Sequence, residues 1–146
     1  MNFQTLQRNV ESVIENLNSI VLDSAMELKD SIADLNVKQL EEGKRVDDAS
    51  IIPEYQSQDY AKAKKAIGAK PALGTPDLKL TGDFYHGFYT DRKPDYLYTY
   101  STDSKADKLN SKYPKIFGLT VESIATLKPD LTQIFLIKVK DELQKS

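Results

Sequence analysis

His86 is the only histidine of the 146-residue chain, and histidine is the side chain whose charge changes closest to neutral pH. It lies within residues 77–91, DLKLTGDFYHGFYTD, among four aromatic rings and two glycines. General acid or base catalysis would require a second group, such as a carboxylate, within hydrogen-bonding distance of the imidazole. The sequence identifies no such partner, so we interpret His86 as a surface or packing residue. A small cytosolic α+β enzyme that uses His86 with a carboxylate is the alternative interpretation.

The other residue types that carry chemistry form no catalytic or metal-binding pattern. The chain has no cysteine, which excludes disulfides, a thiolate nucleophile and a zinc site built on sulfur. It also lacks a Gly-rich phosphate loop and the His-Glu-x-x-His spacing of a metal site. Its adjacent acidic pairs, such as Asp47-Asp48, are typical of solvated surface. We therefore predict no cofactor, no metal and no enzymatic activity.

An acidic amphipathic segment forms the first 42 residues. It holds eight acidic and three basic residues, a net charge of −5, whereas the remaining 104 residues hold 14 acidic and 17 basic residues, a net charge of +3. From Val10 the apolar residues recur at alternating spacings of three and four, with Ser24 at the one missing step. This spacing predicts a long helix over residues 1–42, continuous or broken, with one apolar face. The candidate interface residues on that face are Val10, Ile14, Leu17 and Val21.

Two structural settings would suit this apolar face. A helix that lies across a sheet or against neighbouring subunits is the interpretation we favour, because the charges do not follow a clean pattern beside the face. A coiled-coil seam is the alternative.

Residues 50–146 have the pattern of an α+β core. Before this core begins, Gly43 is placed to cap the end of the N-terminal helix. The turn between the two predicted strands contains Pro94 and several charged residues, which is typical of a β-hairpin connection. The elements predicted in this part are a short helix over residues 54–67, a loop over 68–76, and strands over 78–90 and 96–101.

The C-terminal part is predicted to be helical. Residues 103–112 are polar and are predicted to hold a helical turn. Thr120 is placed to cap a short helix, TVESIATL, and Pro129 to open a final helix over residues 130–144. The run IFLIKVK would also suit a strand, but its helical spacing favours a helix. The whole chain is thus predicted to be one α+β domain, with a long N-terminal helix and short helices packed on a small antiparallel sheet and a C-terminal helix.

Alternation along the first predicted strand separates two faces. A period of two places Phe84, His86 and Phe88 on one face, which we predict to face the core. Tyrosines crowd the other side of the hairpin, where cross-strand packing or a protein interface would explain them. A stacking surface for single-stranded nucleic acid is disfavoured by the scarcity of basic residues nearby. The tyrosines on this side are Tyr85, Tyr89, Tyr96, Tyr98 and Tyr100.

Three segments follow one another in an order that has a counterpart in a known family. They are the proline-containing and Lys-rich segment IIPEYQSQDYAKAKKAIG, the strand opening LTGDFYHGF, and the proline-aromatic segment YPKIFGLTVESIATLKPDL. In this order they resemble the virion morphogenesis proteins of tailed bacteriophages, which are tail-completion or head-tail connector proteins. The chain departs from that pattern by carrying phenylalanine at a leucine and an isoleucine position and Gly87 at a serine position. The resemblance assigns fold-motif positions to Thr81, Gly82, Phe84, Phe88, Phe117 and Gly118.

The resemblance implies a structural virion protein of the neck or tail. It implies a ring of six or twelve copies that contacts portal, connector or tail proteins and lets DNA pass through its lumen, after assembly in the host cytoplasm. No segment approaches the roughly 18 consecutive apolar residues of a membrane helix, so no membrane contact is expected. A helical adaptor protein that binds partners through the N-terminal helix is an alternative from another class.

Overall fold

The structure is a computed structural model that describes residues 2–51, Leu78 and residues 82–146. Within these residues the chain forms six helices and a two-stranded antiparallel sheet, so the predicted α+β class is confirmed. The predicted helix over 54–67 and the loop over 68–76 lie outside the described residues. In chain order the elements are α1 (Phe3–Glu15), α2 (Leu17–Met26), α3 (Lys29–Glu41), α4 (Asp83–His86), β1 (Phe88–Arg92), β2 (Leu97–Ser101), α5 (Ala106–Lys112) and α6 (Val121–Leu143).

The N-terminal segment is divided into the three helices α1, α2 and α3. The first interruption is slight, because the backbone amide of Ile20 still donates to the carbonyl of Asn16 at 2.9 Å. The second interruption follows Ser24, which is fully buried and whose hydroxyl donates to the carbonyl of Ile20 at 2.7 Å. Such a bond from a serine to its own helix backbone tends to bend the helix. The residue at the missing step of the apolar pattern therefore lies just before a break in the helix.

Gly43 ends α3 as predicted. Its φ is 75°, in the left-handed region that glycine adopts without steric cost. The amide of Gly43 donates to the carbonyl of Leu40, and the amide of Lys44 donates to the carbonyl of Gln39, both at 2.9 Å. This pair of bonds is a Schellman motif, which satisfies carbonyls left free at a helix end. The chain then turns so that Ile51 joins Leu40 in the core.

The C-terminal helix α6 is continuous, whereas the sequence predicted a break at Pro129. Its N-terminus is capped as predicted, because Oγ1 of Thr120 accepts a hydrogen bond from the amide of Ser123 at 3.1 Å. A proline inside a helix removes one backbone hydrogen bond. Here the helix persists because it packs against α1, α2 and α3, with Leu127 buried before the proline and Phe135 half-buried after it. The run IFLIKVK is helical, as predicted.

The predicted hairpin is present as β1 and β2. The two strands are antiparallel, with Tyr89 opposite Tyr100 and Thr90 opposite Thr99. Thr90 and Thr99 are buried, and their hydroxyl oxygens are 3.2 Å apart. Because β1 packs against α3, the threonine face is the inner face of the sheet and the tyrosine face is the outer one.

The helical turn α4 occupies positions where the sequence predicted a strand. Gly82 precedes it at φ 87°, and α4 buries both Phe84 and Tyr85. His86 is exposed at its end, so the predicted strand face with His86 between Phe84 and Phe88 is wrong. A pair of phenylalanines four residues apart fits a helical turn and a strand equally well. The spacing alone therefore could not distinguish a helical turn from a strand at these positions.

The core lies where α3, α4, β2 and α5 meet. Phe88, Tyr100, Leu109 and Phe117 are partly buried against it. The buried residues that form the core are Leu40, Ile51, Phe84, Tyr85, Ala106, Tyr113 and Ile116.

Replacement of Gly87 by alanine should lower the free energy of unfolding by about 2 kcal/mol, the usual cost of adding an atom to a filled site. A Cβ at this position would lie 2.7 Å from Oγ of Ser101, 2.7 Å from Oγ1 of Thr102 and 3.0 Å from the backbone nitrogen of Asp103. Thermal unfolding followed by circular dichroism measures the change. The control is Ser104→Ala in the adjacent exposed turn, which should change stability by less than about 0.5 kcal/mol. Equal melting temperatures for Gly87→Ala and the unmodified protein would contradict this packing.

Candidate interaction surfaces

A continuous apolar stripe lies on the outer side of α1 and α2. Its six side chains are spaced three or four residues apart, and each is exposed. The predicted interface residues of the N-terminal helix all belong to it, while Phe3 and Leu6 extend it by two further steps that the sequence interpretation missed, although the spacing continued through them. The residues of this α1–α2 stripe, with their exposed fractions, are Phe3 (78%), Leu6 (40%), Val10 (40%), Ile14 (68%), Leu17 (44%) and Val21 (39%).

The inner side of α1 is polar. Asn9 is buried, and its side-chain amide donates to the carbonyl of Leu143 at 3.1 Å and to that of Lys145 at 2.5 Å. The hydroxyl of Ser12 donates to the carboxylate of Glu142 at 2.8 Å. These bonds satisfy groups at the C-terminal end of α6, where helix carbonyls lack partners within the helix. In this helix the polar Asn9 and Ser12 make the contacts with α6, whereas the stripe residues are exposed.

The contact between α1 and α6 should make the pKa of Glu142 depend on Ser12. Hydrogen bonds from Lys145 and then from Ser12 hold the pKa of the Glu142 carboxyl below its ordinary range. A carboxyl whose pKa is lower in the folded protein stabilises the fold above the unfolded-state pKa of about 4.3, and this contribution is lost as the pH falls through the folded-state pKa. Ser12→Ala should raise the pKa of Glu142, and Ser19→Ala, an exposed serine on α2, should leave it unchanged. A carboxyl carbon NMR titration measures this pKa, and an unchanged value in Ser12→Ala would count against the contact.

The outer face of the hairpin carries a group of tyrosines, of which Tyr89 and Tyr96 are exposed and Tyr98 is half-buried. The rings of Tyr89 and Tyr98 meet edge to face with centroids 6.2 Å apart, and Nζ of Lys93 lies 5.6 Å from the centroid of Tyr98. Tyr96, just before β2, is 56% exposed. These three tyrosines form what we name the hairpin tyrosine patch.

Two of the predicted interface tyrosines do not belong to this patch. Tyr85 lies in the core and is only 7% exposed, because α4 turns it inward. Tyr100 is half-buried against the ring of Phe117 at 4.4 Å, and its hydroxyl donates to the carboxylate of Asp107. That carboxylate raises the pKa of Tyr100 above its ordinary value. The prediction that five tyrosines share one exposed side is therefore wrong for Tyr85.

The residues assigned to a fold motif come together in the interior. The ring of Phe84 lies 5.0 Å from that of Phe88 and 5.9 Å from that of Phe117, and Phe88 and Phe117 are 5.4 Å apart. Gly118 has φ 126°, and a Cβ there would lie 3.0 Å from Val46. Thr81 lies outside the described residues, and Gly82 opens α4. Of the described positions, Phe84 belongs to the core, and Phe88 and Phe117 pack against it.

Two side-chain amides of α3 hold the segment that leads into α6. Asn36 is fully buried; it donates to the carbonyl of Ile116 at 2.9 Å and accepts from the amide of Gly118 at 2.8 Å. Gln39 donates to the carbonyl of Gly118 at 2.9 Å and accepts from the amide of Thr120 at 2.8 Å. These four hydrogen bonds form what we name the amide clamp, which holds residues 116, 118 and 120 against α3. Sequence reasoning missed it, because nothing local distinguishes these two polar residues from solvated ones.

The described residues contain no group of three acidic or histidine side chains placed to hold a metal ion. His86 is exposed, and its imidazole Cε1 lies 3.5 Å from where a Cβ on Gly82 would be. A shallow groove of about 310 Å³ runs between α3 and α6 and is lined by Asp34, Lys38 and Asp130 among others. Across residues 2–51 and 82–146, each helix is either too short or too polar to cross a membrane.

Comparison of the chain with known protein families, with curated proteins and with solved structures finds no match. The resemblance to the phage family therefore stays a prediction. The α1–α2 stripe and the hairpin tyrosine patch are two surfaces of the described residues that a function has to explain. α6 also exposes large apolar side chains, namely Val121, Ile124, Leu136 and Ile137.

Proposed function

We propose that this protein is a non-enzymatic structural subunit of a tailed bacteriophage, which assembles with copies of itself and with neighbouring proteins in the neck or tail. The observation that carries the proposal is the outward-facing α1–α2 stripe. The phage assignment is supported by the order of the three sequence segments described above.

The stripe supports assembly because a soluble monomer gains nothing from it. Contiguous apolar patches on protein surfaces usually mark interaction sites, whereas single exposed apolar residues are ordinary. Here the apolar residues Val10 and Ile14 face outward, while the polar Asn9 and Ser12 make the contacts with α6. A helix that only had to pack on its own domain would place these residue types the other way round.

A structural subunit needs more than one contact surface. A subunit that meets copies of itself and the next component uses different surface patches for each, and a closed ring requires patches that differ and complement one another. The hairpin tyrosine patch supplies a second surface, and tyrosine is enriched at interfaces because it combines contact area with a polar hydroxyl. Because the N-terminal segment is acidic and the remainder is more basic, the N-terminal segment of one copy would be attracted to the remainder of a neighbouring copy.

The fold motif supports the phage family over an unrelated assembly protein. The residues carried over from the resemblance, Phe84, Phe88 and Phe117, pack with ring centroids within 6 Å of one another, although Phe117 is distant in sequence from the other two. Residues that define a family's fold are expected to meet in its core, because core positions tolerate few side chains.

The adaptor alternative requires an N-terminal helix that is separable from the core. α3 belongs to the core, since Asn36 and Leu40 are both fully buried. Removal of residues 1–40 should therefore unfold the protein, whereas an adaptor built on a detachable helix would leave residues 50–146 folded. Circular dichroism of the truncated chain separates these outcomes.

Two experiments test the proposal. Tailed particles recovered from cultures that carry the gene should contain this protein in six or twelve copies, measured by quantitative mass spectrometry against a major tail protein. Electron microscopy of particles labelled with an antibody against the protein should place it at the neck or tail. Its absence from purified particles whose other structural proteins are detected would overturn the proposal.

A further inference from the structure

We infer that the α1–α2 stripe binds the same stripe of a second copy of this chain, with the two helices antiparallel. This inference rests on the proposed function, because it assigns a partner to the face that carries it.

The stripe has the width of a helix–helix seam. At 100° per residue its six side chains fall within a sector of roughly 80°, narrower than the 100° or more of a helix that packs on a domain core. From Phe3 to Val21 it extends about 27 Å along the helix axis. A narrow, straight line of side chains fits a second helix better than a broad surface such as a sheet. This geometry favours the seam over the sheet contact.

The charges near the stripe disfavour other kinds of partner. The residues at its outer rim, Gln7 and Asn18, are uncharged, and the nearest charged side chain, Glu11, lies roughly 100° from the centre of the stripe at 100° per residue. A helix that binds a lipid surface carries Lys and Arg beside its apolar face, whereas α1 carries only Arg8, on the far side. A strongly charged partner would likewise find no complementary charge at this rim.

The helix dipoles favour an antiparallel pair. Parallel helices in contact would place like dipole ends side by side, whereas antiparallel helices place the N-terminal end of each helix beside the C-terminal end of the other. The charged side chains do not decide the orientation, because Arg8 lies on the far side of α1 and two acidic residues at the other end are paired within the chain. These pairs are Asp23 with Arg92 and Glu27 with Lys138.

The steps between successive stripe residues follow nearly the same order in both directions along the chain. Reversed and superposed on itself, it places Phe3 beside Val21, Leu6 beside Leu17 and Val10 beside Ile14. Every member of the stripe thus meets another member, as an interface related by a two-fold axis requires. Such an interface cannot close a ring by itself, but it can join two rings of six into an assembly of twelve.

The stripe alone predicts weak pairing. Its footprint is about 27 Å by one helix diameter of about 10 Å, well below the roughly 800 Å² that each partner buries in a standard stable interface. We therefore expect the isolated chain to pair weakly and reversibly, so that the pair dissociates on dilution.

Cysteine crosslinking tests the orientation. The natural chain has no cysteine, so each introduced thiol reports on one position. Equal amounts of Phe3→Cys and Val21→Cys chains, distinguished by mass tags, are mixed at 100 µM and oxidised. The antiparallel pair predicts the mixed disulfide between the two variants as the main product, at least tenfold above the product of Phe3→Cys with Ser19→Cys, an exposed position on the opposite side of α2. Disulfides only between like variants would overturn the antiparallel arrangement.

Sedimentation tests the pairing itself. Ile14→Glu should weaken self-association by at least tenfold, and the matched variant Ser19→Glu should not change it. Circular dichroism of both variants shows whether each remains folded. A protein that stays monomeric at 100 µM overturns the inference, even if virions contain it, in which case the proposed function stands. A chain that pairs as described but is absent from virions upholds the inference and overturns the proposed function.

Discussion

Replacement of Asn36 by alanine should lower the free energy of unfolding by about 3 kcal/mol. The substitution leaves the buried carbonyl of Ile116 and the partly buried amide of Gly118 without their side-chain partner. Each buried polar group that loses its hydrogen bond costs about 1–3 kcal/mol, and a domain of this size has only about 5–15 kcal/mol of total stability. Urea unfolding followed by circular dichroism measures the change.

Two further variants make the Asn36 prediction specific to the amide clamp. Asn110→Ala removes an exposed asparagine from α5 and should change stability by less than about 0.5 kcal/mol. Gln39→Ala removes the other half of the clamp, and the double variant should cost less than the two single variants together, because they share Gly118. Hydrogen exchange at the amide of Gly118 should accelerate in Asn36→Ala. If that amide stays as protected as in the natural protein, the clamp does not hold this segment.

The features that the sequence predicted correctly are decided by local rules. Gly43 ends α3 because only a residue tolerant of positive φ closes a Schellman motif there. Thr120 caps α6 through its own hydroxyl, three residues from its partner. The existence of an apolar stripe from Val10 onward, though not its direction, was likewise visible in a spacing that involves no other part of the chain.

The features that the sequence did not predict are decided by contacts between distant residues. Pro129 remains inside α6 because helices more than 80 residues earlier support both halves. Tyr85 is buried because α4 replaces the start of the predicted strand. Asn36 and Gln39 look like solvated helix residues until their partners, about 80 positions away, are known. The direction of the apolar stripe could also not be read from its spacing, since a core-facing helix has the same period.

Replacement of Phe84 by alanine should cost about 4 kcal/mol of unfolding free energy, the largest effect expected for a single side chain here. Phe84 is only 3% exposed, and its ring contacts those of Tyr85, Phe88 and Phe117 at centroid distances of 5.0–5.9 Å. Truncation to alanine removes these contacts and leaves a cavity that the neighbouring rings cannot fill without moving. Urea unfolding with tyrosine fluorescence measures the loss. Tyr96→Ala, which truncates an aromatic side chain that is 56% exposed, is the matched control and should cost less than about 0.5 kcal/mol.

The variant Phe84→Leu separates the contribution of the aromatic ring to stability from the contribution of the buried side-chain volume. The resemblance places leucine at position 84 in the phage family, so Phe84→Leu tests whether the stability of this core depends on an aromatic ring at that position. Leucine keeps most of the buried volume but loses the edge-to-face contact with Phe88, and aromatic pairs of this kind contribute about 0.5–1.5 kcal/mol beyond their buried area. We expect Phe84→Leu to lower the free energy of unfolding by about 1–2 kcal/mol and to keep the fold.

The size of the change distinguishes two kinds of core. A loss of unfolding free energy as large as that of Phe84→Ala would mean that the core is specific to phenylalanine, because the three rings at positions 84, 88 and 117 pack as one unit. An unchanged free energy of unfolding would mean that the rings fill space without specific contacts. Phenylalanine in place of the family's leucine would then make no difference to the stability of the core.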